Sequence, residues 1–103
     1  MRVALQWIFV IGSLGAAGPV LADYDLAVKK NCLACHQVDK RKYGPNFKEI
    51  AAKYADQKNA AEVLAKKIRK GGTGVWGPDV MPPQPQVSAA EARALAKYVL
   101  SVK

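Results

Sequence analysis

Cys32-Leu33-Ala34-Cys35-His36 is the stretch that decides how this chain is read, because it gathers both cysteines and the single histidine of 103 residues into five positions. A Cys-x-x-Cys-His run is the attachment signature of a c-type haem. If the run is helical, positions i, i+3 and i+4 share one face, so two thiols and an imidazole can meet one flat porphyrin. Cys32 and Cys35 would then add covalently to the haem vinyls, and His36 would bind the iron from one side. Three other chemistries compete for the same residues. A structural zinc site needs four nitrogen or sulfur ligands, and no further Cys or His exists to complete it. A thioredoxin-like dithiol belongs in a βαβ pattern, which is missing around residues 25–40. A plain disulfide would leave His36 incidental.

Working outward, the N-terminal segment has the form of an export signal. Arg2 is the only charge before Asp23, an apolar run Val3–Ile11 follows, and small residues lead to Val20-Leu21-Ala22. This predicts a signal peptide over residues 1–22, cleaved after Ala22, and a mature domain over residues 23–103 delivered to the periplasm. The alternative is a retained membrane anchor, which Gly12, Gly15, Gly18 and Pro19 oppose. The remaining chain is short enough that a protein-only core is marginal, and a buried haem would act as its staple. The haem-free chain is therefore expected to be largely unfolded.

The formal net charge is +8, or +7 once Arg2 is removed. Nucleic acid is disfavoured as the partner, because an exported protein seldom meets it and no basic run is interleaved with stacking aromatics. Acidic redox proteins fit better, with at most weak contact to an anionic membrane surface. The chain is expected to act as a monomer.

The pattern along the chain is all-α. Asp23 and Asp25 stand ahead of an expected helix, Leu26–Ala34, that delivers the attachment motif. Gly44-Pro45 marks a turn. Asn46 is placed to cap a short helix with Phe47, Ile50, Ala51 and Tyr54 on one face, the two aromatics being candidates to touch haem. Asn59 and Glu62 resemble a capping box ahead of Ala60–Lys70, whose Ala61, Leu64, Ala65 and Ile68 form a stripe ended by Gly71-Gly72. Residues 71–87 carry four glycines and four prolines together with Trp76 and Met81, which points to an ordered functional loop. Ser88 and Glu91 form a second capping box before a terminal helix with Ala92, Leu95, Ala96, Val99 and Val102 inward.

The second axial position on the iron can be argued by elimination. There is no second histidine, and Met1 leaves with the signal, so Met81 is the one soft ligand remaining. Met81-Pro82-Pro83 offers a stiff backbone on which to hold a thioether. Met81 as a packing residue, or a lysine ligand, are the alternatives. A filled His/Met sphere describes a carrier of single electrons and leaves no open site for oxygen or peroxide.

Taken together, Cys32–His36, Val38, Gly44-Pro45, Gly74-Val75-Trp76-Gly77-Pro78, Met81-Pro82-Pro83 and Leu95–Leu100 resemble a small class I bacterial cytochrome c of the c-551/c-552 type, over nearly all of residues 24–103. The resemblance implies about four helices wrapped around one covalently attached haem. It also implies that the Pro45 carbonyl meets the His36 ring N–H and that Trp76 bonds a haem propionate. Lys67 stands where such proteins often carry an arginine near the propionates. Gln84 stands where an asparagine amide often reaches the methionine sulfur, followed by Pro85-Gln86 as a small insertion. Tyr98 replaces a frequent tryptophan.

The resulting expectation is a soluble periplasmic monohaem electron carrier, not an enzyme, working between a membrane donor complex and a terminal reductase or oxidase. Lys29, Lys30, Lys40 and Lys42 are the candidates to steer acidic partners. A gas- or peroxide-reactive haem protein with a labile Met81, and a haem subunit of a larger enzyme, are the rivals.

Overall fold

Helix α1, Gly18–Lys29, leads into a single 3-10 turn at Cys32–Ala34, followed by α2 (Phe47–Lys53), α3 (Ala60–Lys70) and α4 (Ala89–Ser101). The computed structural model describes residues 18–103, with side chains from Asp23 onward. The expected signal peptide, residues 1–22, thus lies outside the described residues apart from the α1 backbone that begins at Gly18. Among the described residues no helix is long and apolar enough to cross a membrane. No strand occurs among them either, only one antiparallel bridge between Gly72 and Met81.

The expected helix Leu26–Ala34 is corrected at both ends. Asp23 and Asp25 lie inside α1 rather than ahead of it, and the helix stops before the attachment motif. Asn31 ends it by adopting a left-handed conformation, φ 68°, ψ 23°. Asparagine is among the few residues that tolerate this region without a large steric cost.

The two short helix starts that matter most are built by side-chain caps. Asn46 Oδ1 accepts from the Glu49 N–H at 2.7 Å while Glu49 Oε1 accepts from the Asn46 N–H at 2.9 Å, and Ser88 with Glu91 repeats this arrangement at α4. Each such cap contributes about 1 kcal/mol. The box expected at Asn59 does not form. Asn59 is not extended (φ −105°, ψ 32°), its Oδ1 accepts from Gln57 Nε2, and Glu62 is turned instead to Arg93 of α4 at 3.0 Å.

Helix α4 packs against α1, α2 and α3, which explains why its inward stripe is the most buried in the molecule. Ala92, Leu95, Ala96 and Val99 are all enclosed there, together with Phe47, Ile50, Tyr54, Leu64 and Val87. Val102 ends the stripe outside the helix, half-buried at its C-cap. Tyr98 packs edge-on against Tyr24 of α1 and Phe47 of α2, with centroids 6.3 and 5.8 Å away. Burial, with the Tyr24 phenol beside it, pushes the Tyr98 phenol up. Phe47 in turn stacks on the His36 ring at 5.8 Å, so the packing of three elements converges on the motif histidine.

Candidate functional site

The turn holding the motif meets the geometric requirement without being a full helix. The Cys32 carbonyl accepts from both the Cys35 N–H at 3.2 Å and the His36 N–H at 3.0 Å. Residues i, i+3 and i+4 are therefore gathered on one side of a single turn. Cys32 is half-buried and Cys35 exposed, and both are free thiols. Burial pushes the Cys32 thiol up, against the opposing pull of a backbone hydrogen bond.

His36 is oriented from behind. Its Nδ1 lies 2.8 Å from the carbonyl oxygen of buried Pro45. A carbonyl can only accept, so Nδ1 carries a proton, and in the neutral imidazole this leaves the Nε2 lone pair available. Gly44 permits this approach, since a Cβ there would stand 2.8 Å from His36 Cε1 and 3.0 Å from Nδ1. Read from the sequence, Gly44 was only a turn signal. Its role as a space-maker for the imidazole depends on a contact across the loop.

Met81 is fixed by its backbone. The Gly72 N–H donates to the Met81 carbonyl at 2.9 Å and the Met81 N–H to the Gly72 carbonyl at 2.8 Å, which ties the returning loop to the end of α3. Trp76, half-buried in the same loop, lies under the Lys53 ammonium at 5.5 Å from its ring centroid.

Cys32, Cys35, His36, Pro45, Lys67, Trp76 and Met81 all line one cavity of about 420 Å³, which is within the size range of cofactor sites. Every residue singled out for the site is thus brought together. The walls between them are largely apolar, including Phe47, Ile50, Tyr54, Leu64, Leu95 and Val99. Arg41 also lines the cavity, with its Nε 3.7 Å from Glu49 Oε1. In the sequence Arg41 is inconspicuous, because within the charged run Asp39–Lys42 nothing distinguishes it.

Gln84 and Lys30 are both engaged by partners of their own. Gln84 lines the cavity, but its Nε2 donates to the Pro82 carbonyl at 2.9 Å and its Oε1 accepts from Gln86 Nε2 at 2.8 Å, so its amide serves the loop. Lys30 is not a free steering charge, since its Nζ lies 3.3 Å from Glu91 Oε1 and donates to the Gln86 carbonyl. Lys29, Lys40 and Lys42 remain exposed. Among the described residues no cluster of three or more His, Cys, Asp or Glu side chains could hold a bare metal ion, so the zinc reading has no second observation behind it.

A family model for cytochrome c matches residues 24–103. The chain is 50% identical to cytochrome c-552 of Nitrosomonas europaea over the full length of both, and 46% identical to cytochrome c-551 of Pseudomonas aeruginosa, covering 97% of this chain and 96% of that one. The crystal structure of wild-type Nitrosomonas europaea cytochrome c552 superposes with a TM-score of 0.76 at 55% identity, covering 78% of this chain and 99% of that one.

The family carries one covalently attached haem c, and the donor set here suits it. Two free thiols, an imidazole with one nitrogen committed and the other available, and a thioether share one apolar-walled cavity. Nothing else in that cavity calls for a different group. The chain belongs to the class I cytochromes c, the small haem proteins that carry single electrons.

Proposed function

We propose that this chain is a periplasmic electron carrier in which Cys32 and Cys35 hold the haem, His36 and Met81 are the two axial ligands, and residues 1–22 are removed on export. The observation that carries the reading is the placement of His36 and Met81 on one cavity, each immobilised by its own backbone bonds. The start of the family match at residue 24 supports a mature domain that begins close to Asp23.

The haem supplies a reversible one-electron iron couple, and the residues make that couple fast and selective. Pro45 fixes the His36 tautomer and raises its basicity by accepting from Nδ1. The Gly72–Met81 bridge and the two following prolines hold the thioether's backbone, so ligation need not rearrange between oxidation states. The apolar wall of Phe47, Ile50, Leu64 and Leu95 excludes water, which favours the less charged ferrous form. Trp76 and Lys67 would meet the propionates, Lys67 as a point charge rather than a fork.

Electrons would cross where the cavity opens. Tyr43, Val75 and Val80 line it yet are 70%, 42% and 69% exposed, so they mark its rim. Lys40 and Lys42 shortly precede Tyr43 in sequence and give that rim positive charge, suited to acidic redox partners at a membrane donor complex and a terminal reductase or oxidase.

The optical spectrum of ferric holoprotein tests the ligand pair. The weak red band of a sulfur–iron bond is expected in wild type and absent in Met81→Ala. A wild type without that band, or a Met81→Ala that keeps it, would overturn the assignment.

A further inference from the structure

Outside the cavity, one cluster of side chains joins the two halves of the site. Lys30 lies just before Asn31-Cys32, and Gln86 lies in the loop that follows Met81. Although 56 residues apart, they exchange side-chain-to-backbone bonds. Lys30 Nζ donates to the Gln86 carbonyl at 3.1 Å, and Gln86 Nε2 donates to the Lys30 carbonyl at 3.1 Å. The second Nε2 hydrogen of Gln86 goes to Gln84 Oε1 at 2.8 Å, and Gln84 Nε2 goes on to the Pro82 carbonyl at 2.9 Å. Glu91 Oε1, at the start of α4, stands 3.3 Å from Lys30 Nζ and holds the ammonium in place.

An unbroken chain of hydrogen bonds thus runs from the carbonyl two residues before Cys32 to the carbonyl one residue after Met81. The loop has a particular need of it. Pro82, Pro83 and Pro85 have no N–H, so the backbone from 82 to 85 has a single donor of its own, the Gln84 N–H, which goes to Ile68. The amides of Gln84 and Gln86 supply the donors that the prolines lack.

The geometry points to a latch: the Lys30–Gln86 clasp, extended through Gln84, holds the Met81 loop against the attachment turn and sets how often Met81 leaves the iron. This rests on the His36/Met81 ligation proposed above. Lys30, Gln84 and Gln86 are positioning residues, acting on the ligand through its loop. The clasp is solvent-exposed, so each bond is individually modest and the loop can still open.

Imidazole binding to ferric holoprotein at mildly alkaline pH tests the latch, because imidazole is then largely the neutral base and binds only when Met81 has left. Titration is followed by loss of the red sulfur–iron band. Lys30→Ala and Gln86→Ala are expected to bind imidazole about tenfold more tightly than wild type, as one or two such bonds would give. Lys29→Ala removes the same charge from an exposed neighbour and is expected to match wild type. Lys30→Arg, which restores a donor, should return most of the way. Thermal midpoints measured alongside separate the latch from a general loss of stability, which would lower the midpoint without changing imidazole affinity. Clasp variants within twofold of Lys29→Ala, in a wild type that shows the red band, overturn the latch alone. A wild type lacking the band overturns both the latch and the ligand pair.

Discussion

Substitution of Gly71 by alanine is expected to be far more damaging than the same substitution at the next residue. Gly71 caps α3 with φ 75° and ψ −173°, a region essentially confined to glycine. An added Cβ would also collide with the Met81 carbonyl oxygen and stand 2.8 Å from Pro83 N and 3.0 Å from the Pro82 carbonyl carbon. These neighbours are backbone atoms of a double-proline segment and cannot swing aside. Strain of about 1–3 kcal/mol and overpacking of about 1–3 kcal/mol together predict a loss of roughly 2–6 kcal/mol. For a domain of this size that lowers the melting temperature by at least about 10 °C. Gly72 offers the control, since a Cβ there meets nothing within 4 Å and its φ is not positive. Gly74 and Gly77 have φ 92° and 118° but open space, so they isolate the backbone term. Thermal and denaturant unfolding of the four holoprotein variants should therefore rank Gly71→Ala as worst, Gly74→Ala and Gly77→Ala as intermediate and Gly72→Ala as near wild type. The red band should weaken only in Gly71→Ala, whose clash displaces Met81. Equal stability of Gly71→Ala and Gly72→Ala would contradict a clash at Gly71.

Three further outcomes are expected. The haem-free Cys32→Ala/Cys35→Ala protein should show no cooperative thermal transition, because an emptied cavity of about 420 Å³ costs up to roughly 10 kcal/mol at about 24 cal/mol per Å³, comparable to the whole stability of a small domain; a sharp melting transition would contradict this. The Ser88 N–H, with smaller help from Lys30, holds the Glu91 carboxyl below its ordinary value of 4.5. Its contribution is therefore complete above that value and is lost as pH falls through the lower folded value, so the melting temperature of Glu91→Gln should lie below wild type at neutral pH and converge with it in acid. Electron exchange with an acidic redox protein should slow as ionic strength rises, with a shallower slope in Lys40→Gln/Lys42→Gln, measured by stopped-flow absorbance; rates indifferent to salt would remove these lysines from the docking face.

Residues of rare type were the most legible part of the site. Two cysteines, one histidine, one tryptophan in a Gly/Pro loop and the one methionine of residues 23–103 have few places to go, and all line the same cavity. Helices α2 and α4 were readable because their caps are local and each has an extended N-cap residue. Asn59 carries a similar pattern at α3, yet its backbone is not extended, so the same letters give no box. The end of α1 was hidden for a related reason. Helical periodicity continues through Asn31, and only that residue's tolerance of positive φ stops the helix before Cys32. Arg41 and the Lys30–Gln86 clasp were invisible because common residue types pair across distances that leave no local signature. Lys30 was visible as a charge, but not as a charge already taken by Glu91.

In the proposed His36/Met81 pair, side chains of this chain close the iron on both sides. Carbon monoxide added to reduced wild-type holoprotein at neutral pH tests it most directly, with Met81→Ala as the positive control. The spectrum of wild type should stay unchanged while that of Met81→Ala shifts on mixing. Prompt carbon monoxide binding by wild type would contradict a closed site and would place the protein among ligand-reactive haem proteins instead.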